Sequence, residues 1–303
     1  MVIQRTGGIG EKHMVETGCI MDVPESVGDV LKLITGSRGY AKLIAGGTDL
    51  LVDIKSGALC PDHLVSLSHV KELKEIREMK GNLSIGAMTT ANEIVKNRLV
   101  NKWLPALSDA AFSMASYQIR NMATIGGNLC SAVPSADLAP PLIAAEASIA
   151  LKSGRSERLV PLEKFFTGPR KTVMKQDELA TRIVIPKQPL KSGSSYKKFK
   201  IREANALAAA GVAARLVIEK GKLKDARLVL GAVAPIPMLS PDAMKLLRGK
   251  VPSHDVFEEA AGMTFAECKP ISDVRCCADF RRQIVKVLTV RALDESLQRA
   301  GGA

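Results

Sequence analysis

The chain has 303 residues, of which 46% are hydrophobic and 4% aromatic, and its formal net charge is +12. This length exceeds one ordinary domain, so two domains are expected, and the apolar fraction excludes a disordered or fibrous protein. A basic balance suits anionic partners such as a phosphorylated cofactor. The densest basic cluster, 191–202, contains only two aromatic side chains. Because single-strand binders add aromatic stacking platforms, no nucleic-acid partner is expected.

The cysteines and the N-terminus indicate a compartment. None of the six cysteines forms a CxxC pair, and the four histidines add no zinc or iron–sulfur spacing. Free thiols in a reducing cytoplasm and no metal on this chain are therefore expected. Residues 1–18 are polar and glycine-rich, lack the apolar core of a signal peptide and are predicted to form an arm. No apolar run reaches membrane-spanning length, so no membrane partner is expected.

The hydrophobic pattern predicts a first region of alternating short strands and helices. Ser26 is the predicted cap of a helix that continues to Ile34, and a cap at 135–137 begins a helix that continues to Ala147. Further helices are predicted at 89–97 and 102–115. The predicted strands are 40–45, 64–67, 83–87, 148–151 and 181–185.

A second region follows a change in composition. Residues 186–195 are rich in Lys, Pro, Gly and Ser and are the predicted linker. The apolar runs 208–218 and 226–234 are joined through Glu-Lys-Gly-Lys and predict a hairpin. Three helices are predicted next, at 240–248, 253–266 and 279–299. The second domain is therefore predicted to be a small antiparallel sheet with helices.

Two glycine turns carry the chemical signal, GGTD at 46–49 and TIGGN at 124–128. Consecutive glycines let backbone N–H groups approach an anion closely, and two separate loops can hold a pyrophosphate from opposite sides. A tight turn with no ligand would also explain each glycine pair. Neither GxGxxG nor GxxxxGK[ST] is present, so neither a Rossmann site nor a P-loop is supported.

At these turns the sequence resembles a known family. AGGTDLL at 45–51 and QIRNMATIGGNLCSAVPSADLAPPLIA at 118–144 look like the two FAD signatures of the flavin subunits of molybdenum hydroxylases, of the xanthine dehydrogenase and carbon monoxide dehydrogenase type. The resemblance implies an α+β fold. Residues 19–190 would form an FAD-binding domain of the PCMH type, with two α/β subdomains, shared with vanillyl-alcohol oxidase and the peptidoglycan reductase MurB. Residues 194–300 would form the C-terminal domain of the carbon monoxide dehydrogenase flavoprotein family.

The resemblance also implies which residues contact FAD. The two glycine loops would hold the pyrophosphate, and Asp137 would be an acidic contact. Met114 lies where relatives place an aromatic near the flavin, and Leu179 and Lys200 match two further contacts. The implied contact residues are Leu43, Ile44, Ala45, Gly46, Gly47, Thr48, Asp49, Leu50, Met114, Thr124, Ile125, Gly126, Gly127, Asn128, Asp137, Leu179 and Lys200.

Each single residue outside the loops also has a simpler interpretation. Asp137 could cap its helix, Met114 could belong to the core, and Lys200 could be a surface lysine. Arg120 could support the second loop or lie at a subunit interface. Cys130 is interpreted as a small buried thiol rather than a redox group.

Two absences refine the cofactor assignment. Relatives of the benzoyl-CoA type insert a cysteine-rich loop for an additional iron–sulfur cluster after the second glycine turn, whereas ADLAPPL continues here without one. Covalent-flavin relatives need a His or Cys in a glycine loop, and His63 and His69 lie elsewhere. The resemblance therefore implies noncovalent FAD and no metal cluster on this chain.

The implied function is electron transfer within a complex. A molybdenum-cofactor subunit would hydroxylate the substrate, and an iron–sulfur subunit with [2Fe-2S] clusters would relay electrons to FAD on this chain, which would reduce an acceptor such as NAD+. The implied assembly is a dimer of heterotrimers, and no catalytic acid, base or nucleophile is expected here. Two alternatives stay open: a free-standing flavoenzyme of the MurB or vanillyl-alcohol oxidase type, and a binding module whose glycine loops are only turns.

Overall fold

The computed structural model describes residues 19–36, 41–154, 156–203 and 205–301. The predicted arm at 1–18 and the first residue of the predicted strand 40–45 lie outside the described residues. The chain begins with a small parallel sheet in the order β1-β3-β2. Ser26 caps α1 as predicted, since its Oγ accepts a hydrogen bond from the N–H of Asp29 at 3.1 Å. The elements are β1 Ile20–Asp22, α1 Val27–Gly36, β2 Ala41–Ile44, α2 Leu50–Lys55 and β3 His63–Ser66.

A second sheet is antiparallel, in the order β4-β5-β10-β6-β7, with helices inserted between β5 and β6. β8 and β9 form a separate hairpin. The strands are β4 Ile76–Met79, β5 Asn82–Gly86, β6 Ser148–Lys152, β7 Glu157–Pro161, β8 Phe166–Gly168, β9 Lys171–Thr172 and β10 Leu179–Pro186. The helices are α3 Ala91–Lys96, α4 Arg98–Trp103, α5 Pro105–Ser113, α6 Tyr117–Arg120, α7 Ile125–Ser131 and α8 Ala139–Ala144.

The C-terminal part is a four-stranded antiparallel sheet, β11-β12-β13-β14, covered by three helices. The predicted hairpin is confirmed, and Lys220 and Gly221 at its turn have φ of +52° and +73°. Positive φ at both central residues suits the twist of a two-residue hairpin. The elements are β11 Ser192–Phe199, β12 Ala210–Glu219, β13 Lys222–Gly231, β14 Met238–Leu239, α9 Pro241–Leu247, α10 His254–Glu267 and α11 Ala278–Arg299.

Three predicted elements are corrected. The helix predicted at 102–115 is two helices, because Leu104 leaves helical geometry before Pro105, whose ring disfavours a helical residue ahead of it. The helix predicted through Ala147 ends at Ala144, since the chain turns at Glu146, which has φ of +59°. The predicted linker at 186–195 is shorter, because β11 already begins at Ser192.

One hydrophobic core extends across both parts of the chain. The cluster around Leu142 and Phe165 in the N-terminal part includes Tyr196, Ala213 and Val229 from the C-terminal sheet. Arginine–carboxylate pairs close the junction: Arg215 with Glu146 at 2.8 Å, and Arg299 with Asp109 at 2.6 Å. No helix in the described ranges is both long enough and apolar enough to cross a bilayer.

Candidate functional site

The first glycine loop connects β2 to α2 and rests on another part of the backbone. Gly47 has φ of +71°, a conformation that a residue with a Cβ adopts only with strain. A Cβ built on Gly46 would lie 1.8 Å from the carbonyl oxygen of Met122. Both glycines are therefore required: Gly47 for its positive φ, and Gly46 for the close approach of the loop to the Met122 carbonyl.

The amides of this loop are available to a ligand. Within the described residues, the N–H groups of Gly46, Gly47, Thr48 and Asp49 donate no hydrogen bond to the protein, and the Thr48 hydroxyl has no partner. All four residues are at least partly exposed. A run of unpaired, accessible N–H groups suits an anion with several oxygens, such as a phosphate.

The second glycine loop is organised differently, because its backbone amides are already hydrogen-bonded. Ile125 N–H donates to Thr89 O at 2.9 Å, and Gly126 N–H donates to Ala87 O at 2.8 Å. Thr124 caps α7: its Oγ1 accepts a hydrogen bond from Gly127 N–H at 3.1 Å. The second loop is therefore a helix N-terminus held in place by its own hydrogen bonds, and these N–H groups are not free to bind a ligand.

The two loops lie against each other. A Cβ built on Gly127 would lie 2.9 Å from Thr124 Oγ1 and 3.8 Å from Ala45 Cβ, so little space separates the loops. Asn128 Oδ1 accepts a hydrogen bond from the Leu138 N–H at 3.3 Å. Asn128 Nδ2 donates no hydrogen bond to the described residues and so remains available as a donor.

Asp137 lies behind Asn128 in a buried polar cluster. Its Oδ1 accepts a hydrogen bond from Tyr196 Oη at 2.9 Å, and its Oδ2 pairs with Lys198 Nζ at 2.8 Å. The Lys198 ammonium also donates to the carbonyls of Ser113 and Ala206, both at 3.2 Å. All three donors of the ammonium are therefore used, and the cluster ties β11 to the N-terminal part of the chain.

Burial controls the protonation of this cluster. It raises the pKa of the Asp137 carboxyl, and the ammonium of Lys198 and the hydroxyl of Tyr196 oppose that rise. Burial together with the Asp137 charge raises the pKa of the Tyr196 hydroxyl well above its usual range. Tyr196 therefore acts as a hydrogen-bond donor to the carboxylate across the physiological range.

The remaining predicted contacts lie in varied environments. Met114 and Leu179 are buried, Met114 in the shared core and Leu179 in a smaller cluster against which Leu43 and Ala45 of the first loop pack. Lys200 is partly exposed and pairs with Glu203 at 3.0 Å. Asp137 does not cap α8, since its carboxylate oxygens bind Tyr196 and Lys198 instead.

Arg120 and Cys130 have defined contacts within the chain. Arg120 supports the segment before the second loop: it donates to the Met114 carbonyl at 2.8 Å and to Asn92 Oδ1 at 3.2 Å. The Cys130 thiol contacts Met174 Sδ at 3.5 Å, and burial raises its pKa to about 12. The raised pKa disfavours the thiolate form that reacts, but the Cys130 side chain is half-buried rather than fully buried as predicted.

Sequence reasoning missed Tyr196 and Lys198. They stand two residues apart on β11, and such spacing places side chains on one face of a strand. That alternation was available as a signal, but it did not distinguish Lys198 from the neighbouring lysines. The Asp137 partner that makes Lys198 special is 61 residues away in the chain.

Comparison with known proteins decides the family. Residues 18–188 match the family described as the FAD binding domain in molybdopterin dehydrogenase, and residues 194–296 match the CO dehydrogenase flavoprotein C-terminal domain. The chain belongs to this family. Members include the putative xanthine dehydrogenase FAD-binding subunit of Escherichia coli (strain K12), 32% identical over 91% of this chain and 95% of that protein. The carbon monoxide dehydrogenase medium chain of Hydrogenophaga pseudoflava is also 32% identical, over 91% and 96%.

Solved structures of family members match over almost their full length. Carbon monoxide dehydrogenase from Hydrogenophaga pseudoflava superposes with a TM-score of 0.90 at 32% identity, covering 94% of this chain and 99% of that one. Quinoline 2-oxidoreductase from Pseudomonas putida 86 gives 0.87 at 28% identity, covering 94% and 97%. The predicted family, the α+β fold class and FAD as the family's cofactor are therefore confirmed, and the chain is a component of an oxidoreductase.

Proposed function

We propose that the two adjacent glycine loops together form a flavin cleft that holds the pyrophosphate of one noncovalent FAD. The observation that carries this proposal is the row of four unpaired amides at 46–49, beside the Thr48 hydroxyl. A pyrophosphate at this position would satisfy these donors, and Asn128 Nδ2 adds one from the second loop. Leu43, Ile44, Leu50 and the remaining residues of 43–50 and 124–128 form the walls.

The two glycine loops contribute to FAD binding in different ways. The first loop supplies the N–H donors, and the second supplies rigidity, because its own amides are bonded to Ala87, Thr89 and Thr124. Asp137 acts through its hydrogen bonds to Tyr196 and Lys198, which hold the C-terminal part against the cleft. Met114, Leu179 and Lys200 would contact the cofactor through the parts of their side chains that neighbouring residues do not cover.

We infer that the protein transfers electrons within a larger enzyme. Bound FAD supplies the redox chemistry, since a flavin exchanges electrons with one-electron centres and with hydride acceptors such as NAD+. An iron–sulfur subunit would deliver the electrons and a molybdenum-cofactor subunit would oxidise the substrate, in a dimer of heterotrimers located in the cytoplasm. In support, relatives bear the names of single subunits, such as the medium chains of carbon monoxide and glyceraldehyde dehydrogenases.

The substrate is proposed to be recognised on a partner subunit. Relatives of nearly equal similarity are named for xanthine, carbon monoxide, glyceraldehyde and nicotine. Proteins of one fold that serve such different substrates need a shared electron relay rather than a shared substrate pocket.

The test is to purify the flavin-loaded chain and compare its reductants. We expect about one FAD per chain, released into the supernatant by acid precipitation. Dithionite should bleach the flavin, as should NADH if NAD+ is the acceptor, whereas xanthine, an aldehyde or carbon monoxide should not. Rapid reduction by one of these substrates with no partner present would favour a free-standing flavoenzyme, and flavin retained in the precipitate would contradict noncovalent binding.

A further inference from the structure

A second cleft lies at the junction of the two parts of the chain, away from the glycine loops. It has a volume of about 510 Å³ and is bordered by the β4–β5 turn, the α4–α5 junction, the 187–191 connection and the ends of β12 and α11. We call it the interdomain cleft and define it by Trp103, Lys102, Lys187 and Lys191. Small-molecule sites of proteins have volumes in the range of about 300–1,000 Å³, so this cleft is large enough for an organic ligand.

No residue of the two glycine loops borders the interdomain cleft. β11 begins at the interdomain cleft with Ser192 and ends near Lys198 of the buried polar cluster with Phe199. The lining extends to Ser194, so at about 3.3 Å per residue roughly 13 Å of strand separates it from Lys198. The interdomain cleft therefore shares no lining residue with the proposed flavin-binding loops.

The cleft carries an excess of positive charge. Lys102, Lys187 and Lys191 border it, and within the described part of the chain none of their ammonium groups has an ion pair or hydrogen bond. Arg215 and Arg299 also border it, but both are neutralised by carboxylates. Glu78 is the single acidic residue of the lining, and it accepts a hydrogen bond from Trp103 Nε1 at 2.9 Å.

The lysines are carried on fixed backbone rather than on a loose linker. Gln188 donates to the carbonyls of Ala145 and Pro186 and accepts a hydrogen bond from Arg215, so it pins the connection between the two parts. The carbonyl of Lys191 accepts a hydrogen bond from Ile218 N–H at 3.0 Å. The ammonium groups of Lys187 and Lys191 are thus presented from two anchored points on one side of the cleft.

An aromatic side chain completes the lining. Trp103 packs partly against the core, and its hydrogen bond to Glu78 fixes the orientation of the indole. Indole rings stack on planar groups of ligands, while lysines neutralise phosphate oxygens. The combination of three unpaired lysines with one indole in a cleft of this size suits a phosphate joined to a planar ring.

We propose that the interdomain cleft binds an organic phosphate of nucleotide size, with its phosphates between Lys102, Lys187 and Lys191 and its ring against Trp103. This site is independent of the flavin function. Since Lys102 belongs to α4 and Lys187 and Lys191 to the connection, the ligand would bridge these two segments.

The experiment uses the flavin-loaded chain, so that the nucleotide-like FAD cleft is already filled. Trp103 is the only tryptophan of the protein, and its fluorescence therefore reports on the interdomain cleft directly. ATP, ADP and inorganic phosphate are titrated at low salt while flavin absorbance is followed. We expect ATP and ADP to change the tryptophan emission saturably, with no change in flavin absorbance, and to bind more weakly as salt is added.

A double variant distinguishes binding in the interdomain cleft from nonspecific attraction to the positively charged surface. Lys187→Gln with Lys191→Gln should weaken ATP binding by roughly tenfold or more, because two neutralising contacts are removed. Lys71→Gln with Lys74→Gln removes the same charge from exposed lysines outside the cleft and should leave binding unchanged. Equal weakening in both variants, release of flavin by ATP, or no emission change with any probe would overturn the proposal. Circular dichroism of both variants confirms that they are folded.

Discussion

At the scale of single residues, Gly46 is the sharpest determinant of the flavin cleft. Gly46→Ala places a Cβ 1.8 Å from the Met122 carbonyl, so the first loop must move away from the second. We expect the variant to fold but to lose most of its flavin, measured as the ratio of flavin to protein absorbance after purification. Gly262→Ala in α10 is the matched control, because its Cβ meets open space. A Gly46→Ala protein with full flavin would show that the close approach is dispensable.

Gly47 and Gly127 test the same cleft by different means. Gly47→Val forces a β-branched side chain into a φ of +71°, and Gly127→Val drives a side chain against the Thr124 hydroxyl. Both variants should lose flavin while the C-terminal sheet stays intact by circular dichroism. Retention of flavin in both would mean that the loops are only structural turns.

The Lys198 ammonium is the residue-scale determinant of stability. Lys198→Met leaves Asp137 buried without its counter-charge, which should cost about 3–5 kcal/mol of unfolding free energy at neutral pH. Burial raises the pKa of Asp137, and Lys198 opposes that rise, so the pKa should increase further in the variant. When the pKa of a carboxyl is higher in the folded state than in the unfolded state, the folded state is favoured at low pH, where the carboxyl is protonated. This contribution to stability is lost as pH rises through the folded-state pKa. The destabilisation should therefore shrink between pH 7 and pH 5.

Urea unfolding at the two pH values measures this effect. Lys200→Met is the control, since Lys200 stands two residues away on the same chain segment and is only partly buried. Its unfolding free energy should change by less than about 0.5 kcal/mol. An equal loss in both variants, or a loss at Lys198 that is independent of pH, would contradict the buried pair.

At the scale of elements, α7 depends on the Thr124 cap. Thr124→Ala removes the hydroxyl that accepts the Gly127 N–H, and it should cost about 1 kcal/mol of stability and weaken flavin binding. Thr124→Ser keeps the hydroxyl and should restore most of both. Thermal unfolding with and without added FAD measures the two effects together. No difference between the Ala and Ser variants would show that the second loop is held by its backbone bonds alone.

At the scale of the whole molecule, the two parts should unfold together. The core cluster of the N-terminal part includes Tyr196, Ala213 and Val229, and ion pairs of Arg215 and Arg299 close the junction. Domains that share one core lose stability jointly, so calorimetry should give a single transition with equal calorimetric and van't Hoff enthalpies. FAD should shift that transition upward as a whole. Two separated transitions, of which FAD moves only one, would contradict a shared core.

Local pattern predicted most elements of the fold. The cap at Ser26, the hairpin at 208–234 and the three C-terminal helices follow from spacing and turn chemistry that neighbouring residues carry. The wrongly predicted element boundaries lie where contacts with distant segments determine the backbone. Leu104 leaves helical geometry between α4 and α5, and the early start of β11 depends on pairing with β12.

The sequence by itself determined the family and the two glycine loops, because glycine pairs at strand and helix ends constrain the backbone locally. Only the tertiary structure decided which loop keeps free amides, since the donors of the second loop are taken by Ala87 and Thr89, more than thirty residues away. It also singled out Lys198 among the lysines of β11, because only Lys198 faces Asp137. Hydrogen-bond partners and buried charges depend on which distant segments share the interior, and one-dimensional pattern carries little of that information.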